Sequence, residues 1–119
     1  MALEDTAWLE DSRLGLFGTR RQTVVLILLS ILEESYPREL SRLSGVSLTS
    51  VLKQLEDLEI QGVLASRLIG NQRRTSLNPR WFAFKPLKEL LARLAEAEPE
   101  LQETASRVRR RPRRKGKPL

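Results

Sequence analysis

The chain has 119 residues, 40% of them hydrophobic, which suits a single domain with one modest core. It has neither cysteine nor histidine, so the ordinary ligands of structural zinc and the usual nucleophile and base pairs of enzymes are missing. We therefore expect no enzyme activity, no bound metal and no cofactor. The formal net charge is +6 at pH 7; eight of the last thirteen residues are basic, whereas the rest of the chain has 13 basic and 15 acidic residues. Because such a basic end repels itself, it must find negative charge outside the chain, and nucleic acid is the commonest polyanion partner.

The N-terminal segment, residues 1–18, begins with an acidic stretch and has no cleavable apolar core, so we predict no signal peptide. The longest apolar stretch, residues 23–32, has about half of the ~20 residues that a membrane-spanning helix needs. We therefore expect a cytoplasmic protein with no membrane partner.

A first helix is predicted over residues 19–34, and it is apolar on every side rather than along one stripe. A helix of this kind is buried on every side. Two coverings remain open: a second copy of the chain, which would make a homodimer, or the N-terminal segment folding back within one chain. The apolar residues that this segment offers are Trp8, Leu9, Leu14 and Leu16.

Two further helices are predicted next, separated by a short glycine-containing turn. Pro37 sits where a helix can begin without its backbone N–H, and Gly45 ends this helix. Ser47 is a suitable N-cap for the following helix, whose apolar residues recur at three- and four-residue steps up to Gly62. The pair has the spacing of a helix-turn-helix, with its second helix over residues 47–61.

A β-hairpin is predicted over residues 63–77, because β-favouring residues flank the turn-forming Gly70, Asn71 and Gln72. With the preceding helices, the hairpin completes a core domain over residues 19–79.

The C-terminal helical segment is predicted over residues 80–106, where Pro99 breaks or restarts the helix, and residues 107–119 are predicted as a disordered basic tail. The aromatic residues that precede this segment's helix are expected in the core: Trp81, Phe82 and Phe84. A leucine seam follows them: Leu87, Leu90, Leu91 and Leu94. As core, the seam packs back on the first helix; as an interface, it pairs with its copy across a two-fold axis.

A helix, a helix-turn-helix and a hairpin follow one another in the order of a winged helix, and residues 16–95 resemble the winged helix-turn-helix transcriptional regulators of bacteria and archaea, the ArsR/MarR-like group. The matching pieces are LFGTRRQTVVLILL, YPRELSRLSGVSLTSVLKQLEDLEIQGVL and SRLIGNQRRTSLNP. The resemblance implies a mainly α fold with a small β-hairpin, and a regulator that binds double-stranded DNA sequence-specifically. It also implies dimerisation through the N- and C-terminal helical segments, which favours the interface interpretation of the leucine seam.

In such a fold the second helix of the helix-turn-helix enters the major groove and its N-terminal residues reach base edges. The residues expected to do so are Thr49, Ser50, Lys53 and Gln54. Gln54 is the best candidate for a bidentate hydrogen-bonded contact to adenine, and Lys53 is the best candidate for a contact to guanine or phosphate. Arg38 and Arg42 of the preceding helix are also expected to contact DNA. The second helix carries three acidic residues, Glu56, Asp57 and Glu59, which would repel phosphate unless Arg38 or Arg42 neutralises them.

The hairpin is expected to lie over the phosphates or to dip into the minor groove. Its polar contact residues are Arg67, Asn71, Gln72, Arg73 and Arg74. The tail is expected to add Arg109, Arg110, Arg111, Arg113 and Arg114.

Two other functions stay open. Leu68 and Ile69 lie near the hairpin tip, where members of the resembling family usually carry polar residues. The hairpin could therefore bind another protein, and the chain could be an adaptor or an antitoxin-like partner. The tail alone could also bind nucleic acid non-specifically. No residue pattern identifies a small-molecule effector.

Overall fold

A computed structural model describes residues 16–110 of the chain, which form five α-helices and one two-stranded antiparallel sheet. In chain order the elements are α1 (Arg20–Leu32), α2 (Pro37–Ser44), α3 (Leu48–Ile60), β1 (Leu64–Ile69), β2 (Gln72–Leu77), α4 (Phe84–Glu96) and α5 (Pro99–Arg110). The predicted mainly α fold with a small hairpin is confirmed, and the order of elements is compatible with a winged helix-turn-helix. No helix in the described part of the chain has the length and apolar character to cross a bilayer.

Helix α1 is the centre of the core. It begins after Thr19, whose hydroxyl accepts a hydrogen bond from the backbone N–H of Gln22 at 3.1 Å, and all residues from 23 to 29 are buried. Helix α1 contacts the other four helices and β2. The chain therefore covers this helix with its own elements, and the burial of α1 gives no argument for a second copy. Leu16 is exposed, and the other apolar residues predicted as an N-terminal cover lie outside the described residues.

Helices α2 and α3 follow the predicted boundaries closely. Pro37 occupies the first turn of α2, and Gly45 ends that helix in the left-handed conformation with φ of 79°, its N–H donating to Ser41 O at 3.0 Å. Glycine suits this position because a Cβ would be strained there. Ser47 caps α3 by accepting a hydrogen bond from Ser50 N at 3.2 Å. Two helices joined by a short turn at residues 45–47 are thus present where the sequence predicts them, an arrangement compatible with a helix-turn-helix.

The hairpin is anchored at its base and projects at its tip. In its register Leu64 lies opposite Leu77, Ser66 opposite Thr75 and Leu68 opposite Arg73. Leu64 and Thr75 are buried, whereas Leu68 near the tip is 73% exposed. On the other side of β2, Ser35 pairs with Thr75 through two backbone hydrogen bonds of 3.0 and 2.8 Å, which fixes the hairpin against the loop between α1 and α2.

The leucine seam of α4 is mainly core. Leu91 is completely buried within the single chain, and Leu87 and Leu94 are half-buried against the same core, since α4 packs on α1. Only Leu90 is substantially exposed, at 39%. The interface interpretation that the sequence favoured is wrong for Leu91, and the core interpretation fits most of the seam.

Pro99 restarts the chain as a second C-terminal helix, α5, which runs to Arg110. Residues 107–110 are therefore helical, and the predicted start of a disordered tail at residue 107 is wrong. Helix α5 packs on α1 and buries Ala105 completely, and the exposed i,i+4 ion pair of Arg107 with Glu103 at 3.5 Å adds a small local stabilisation. The rest of the predicted tail lies outside the described residues.

Candidate nucleic-acid interface

Helix α3 has a core side and an outward side, with a flank between them on either side of the helix. Val51 and Leu55 face the core and are buried. Successive residues of a helix are rotated by 100°, so the side opposite this core edge carries the exposed Thr49, Lys53 and Glu56. This outward side is defined here as the outer edge of α3. Thr49 and Lys53 were both predicted as DNA contacts, and both lie where a ligand can reach them.

One flank of the outer edge borders the start of α1. A cleft of about 390 Å³ lies there, lined by Thr19, Arg21, Gln22, Val46, Thr49, Ser50, Lys53, Gln54 and Asp57. Ser50, also predicted as a DNA contact, is exposed on this side. Lys53 Nζ lies 3.3 Å from Asp57 Oδ1, one turn further along α3, with the two side chains 73% and 48% exposed. An exposed pair of this kind is worth about 0.3–0.5 kcal/mol, so it holds Lys53 only weakly.

Gln54 does not belong to the outer edge. It is 6% exposed, and its amide nitrogen donates a hydrogen bond to the backbone carbonyl of Gln22 at 2.8 Å. The prediction that Gln54 contacts adenine is wrong. Position 54 is three residues after Val51 and four before Leu58, which places it on the core side of the helix. That spacing is the sequence signal that could have identified it.

The other flank of the outer edge borders the hairpin. A second cleft, of about 580 Å³, is lined by Tyr36, Pro37, Arg38, Leu48, Leu52, Asn71, Gln72 and Arg73. Four residues predicted as DNA contacts meet at this cleft: Arg38, Asn71, Gln72 and Arg73. Its α3 wall, in contrast, is apolar, because it consists of Leu48 and Leu52. Arg42 is exposed elsewhere on α2.

Each arginine of the hairpin has a partner within the folded chain. Arg67 pairs with Glu34, with its Nε and Nη2 at 3.0 and 2.9 Å from Glu34 Oε2, and Arg73 pairs with Glu59. The guanidinium carbon of Arg74 lies 5.3 Å from the centre of the Tyr36 ring, a cation–π contact. The hairpin is therefore less positive towards a ligand than its sequence predicts.

Glu59 joins α3 to the hairpin through more than one contact. Its carboxylate accepts a hydrogen bond from Ser66 Oγ and forms an ion pair with Arg73. Ser66 Oγ in turn lies 2.9 Å from Thr75 Oγ1. The predicted neutralisation of the acidic residues of α3 by Arg38 or Arg42 is wrong for Glu59, which pairs with Arg73. It is also wrong for Asp57, which pairs with Lys53.

Phe82 is the most exposed of the large apolar residues described. It is 91% exposed and makes an edge contact with Trp81, with ring centroids 5.2 Å apart. The expectation that Phe82 lies in the core is wrong. Trp81 and Phe84, by contrast, are half-buried, and Trp81 packs against the core. Nothing in the local sequence distinguishes Phe82 from its neighbours.

The tail arginines predicted as DNA contacts lie at or beyond the end of the described residues. Arg109 and Arg110 end α5, and Arg111, Arg113 and Arg114 lie outside the described residues.

Comparisons of this chain with protein-family models, with curated proteins and with solved structures found no match.

Proposed function

We propose that this protein is a sequence-specific regulator of transcription that binds double-stranded DNA in the manner of a winged helix-turn-helix protein. In this proposal α3 enters the major groove, and the hairpin lies against the backbone or the minor groove. The observation that carries the proposal is the outer edge of α3. Thr49 and Lys53 are exposed in its first two turns, between one cleft lined by Arg21 and another lined by Arg38 and Arg73.

This arrangement suits the geometry of B-form DNA. Helix α3 has 13 residues and is about 20 Å long, so its first two turns can lie in the major groove while the hairpin lies beside the groove. A hydroxyl at Thr49 and an ammonium at Lys53 can contact base edges or phosphates. Arg21 on one flank and Arg38 on the other contact phosphates, which fix the position of the protein without reading the sequence.

The test is selection from a random double-stranded oligonucleotide library, followed by mobility shifts with competitor DNA. Each good base contact is worth ~1–3 kcal/mol, so removing two of them in Thr49→Ala with Lys53→Ala should reduce the preference for selected over random duplexes by roughly 30-fold or more. Lys85→Ala, which removes one exposed positive charge on α4, is the control and should preserve the preference. No binding by the wild-type chain at low salt would contradict the proposal.

A homodimer belongs to the same proposal, because two copies would place two α3 helices about one DNA turn apart and select an inverted repeat. Of the four leucines predicted to form the dimer interface, only Leu90 is substantially exposed in a single chain. Light scattering of the free chain and the symmetry of the selected sequences test this part. A monomer that selects a single asymmetric site would contradict it.

Protein interaction is the second candidate, and a specific observation favours it. The hairpin arginines are paired within the chain, while Leu68 and Ile69 near its tip are 73% and 48% exposed. If the protein is an adaptor of this kind, it should select no sequence from the DNA library. Non-specific binding by the tail predicts DNA binding without selection, and that binding would be lost from a chain that ends at Arg110.

A further inference from the structure

With Gln54 buried, the side of α3 that faces a ligand has few groups able to read bases by paired hydrogen bonds. One residue before Lys53, between the outer edge and the hairpin cleft, lies Leu52, which is 47% exposed. Its neighbour one turn earlier, Leu48, continues the same apolar wall. An isolated exposed leucine is ordinary, but this leucine lies in the part of the helix from which bases would be read.

The edges of DNA bases offer one apolar group in the major groove, the C5-methyl group of thymine. We infer that Leu52 recognises thymine methyl groups, so that the preferred DNA of this protein carries thymine opposite the second turn of α3. This inference rests on the proposed function and names the chemistry by which the same site selects its sequence. A side chain of this size excludes water from the methyl group while leaving Thr49 and Lys53 free for polar contacts.

Two other exposed apolar residues are less suited to this role. Ile60 is 77% exposed but lies eight residues after Leu52, about 12 Å further along the helix. Leu68 belongs to the hairpin, whose tip would face the backbone or the minor groove, where thymine presents its O2 atom and no methyl group. Leu52 is therefore the residue that the geometry assigns to thymine.

The experiment uses two random duplex libraries, one amplified with dTTP and one with dUTP, because uracil lacks only the methyl group. Selected duplexes are then compared with copies in which single thymines are replaced by uracil. Burying one methyl group is worth ~0.8 kcal/mol, so at the thymine opposite Leu52 we expect binding about four-fold weaker with uracil. Leu52→Ala should bind thymine and uracil duplexes equally, while Ile60→Ala should keep the wild-type ratio.

The outcomes separate the two levels of the proposal. Absence of sequence selection in both libraries contradicts the proposed function itself. Sequence selection with equal affinity for thymine and uracil duplexes overturns only the inference about Leu52. Discrimination that persists in Leu52→Ala would show that another residue recognises the methyl group. Because Leu52 is about half exposed, thermal unfolding of Leu52→Ala should show that this variant is folded.

Discussion

The outer edge of α3 and the hairpin differ in what their charges do. At the outer edge, Lys53 is 73% exposed and its one ion pair, with Asp57, is itself exposed. In the hairpin, Arg67 and Arg73 pair with carboxylates of other elements, and Arg74 lies over the Tyr36 ring. Arg67 and Arg73 are 66% and 54% exposed, so a ligand can reach them too. Their partners Glu34 and Glu59, at 33% and 18%, are less exposed than Asp57, at 48%, and hold them more firmly than Asp57 holds Lys53.

A count of basic residues therefore overstates the charge that a surface offers. An arginine already paired with a carboxylate must exchange that partner for a phosphate, and the released carboxylate then repels the DNA. We therefore expect the outer edge of α3 to dominate recognition and the hairpin to contribute mainly by its position. Variants that release Arg73 and Lys53 from their carboxylate partners test this division.

The largest effect is expected at Gln54, which joins α3 to the first turn of α1. Gln54→Ala removes a buried hydrogen bond to Gln22 O and leaves a cavity, so we expect a loss of about 2 kcal/mol in the free energy of unfolding. Chemical denaturation measures this loss. Thr49→Ala, an exposed change on the same helix, is the control and should alter stability by less than about 0.5 kcal/mol. A Gln54 variant that is fully stable but has lost adenine preference would restore the sequence-based role of this residue.

The fold was largely predictable because helix boundaries depend on local chemistry. Thr19, Ser47 and Gly45 start or end their helices by hydrogen bonds within one turn, and Pro37 suits a first turn because its ring fixes φ. Such local features are visible in the sequence. The spacing of Gln54 from Val51 also indicates that Gln54 lies on the core side of α3. A glutamine is nevertheless the residue type best suited to contact adenine, and this chemical suitability favours the wrong side of the helix.

The electrostatic part of the site was not predictable in the same way. Glu34 and Arg67 are 33 residues apart in the chain, and Glu59 and Arg73 are 14 apart. These pairs exist because the hairpin folds back beside α3 and beside the loop after α1. No local pattern of charges could reveal them.

A smaller effect is expected when the hairpin pair is broken. Glu59→Gln removes the ion-pair partner of Arg73, which then becomes available to a phosphate. One added phosphate contact steepens the salt dependence of binding by roughly 0.9 in log-log slope, and we expect about five-fold tighter DNA binding at moderate salt. The measurement is affinity for a selected duplex at several salt concentrations.

Glu56→Gln is the matched control for the hairpin pair, because Glu56 is an exposed acid on the outer edge of the same helix. It removes the same charge without releasing Arg73, so its salt slope should stay closer to that of the wild type. Equal slopes for the two variants would mean that Arg73 does not reach DNA when freed. The hairpin would then act only through its position.

The smallest effect is expected at the outer edge itself, where Asp57→Asn removes the exposed partner of Lys53. Because that pair is worth only about 0.3–0.5 kcal/mol, stability should barely change, and DNA binding should become about two-fold tighter at low salt. The gain should shrink as salt rises, since exposed charges are screened within about 10 Å at 0.1 M. Glu89→Gln, an exposed acid on α4, is the control and should show less gain. If Asp57→Asn strengthened DNA binding as much as Glu59→Gln, then Asp57 would hold Lys53 as firmly as Glu59 holds Arg73. The contrast between the outer edge and the hairpin would then be wrong.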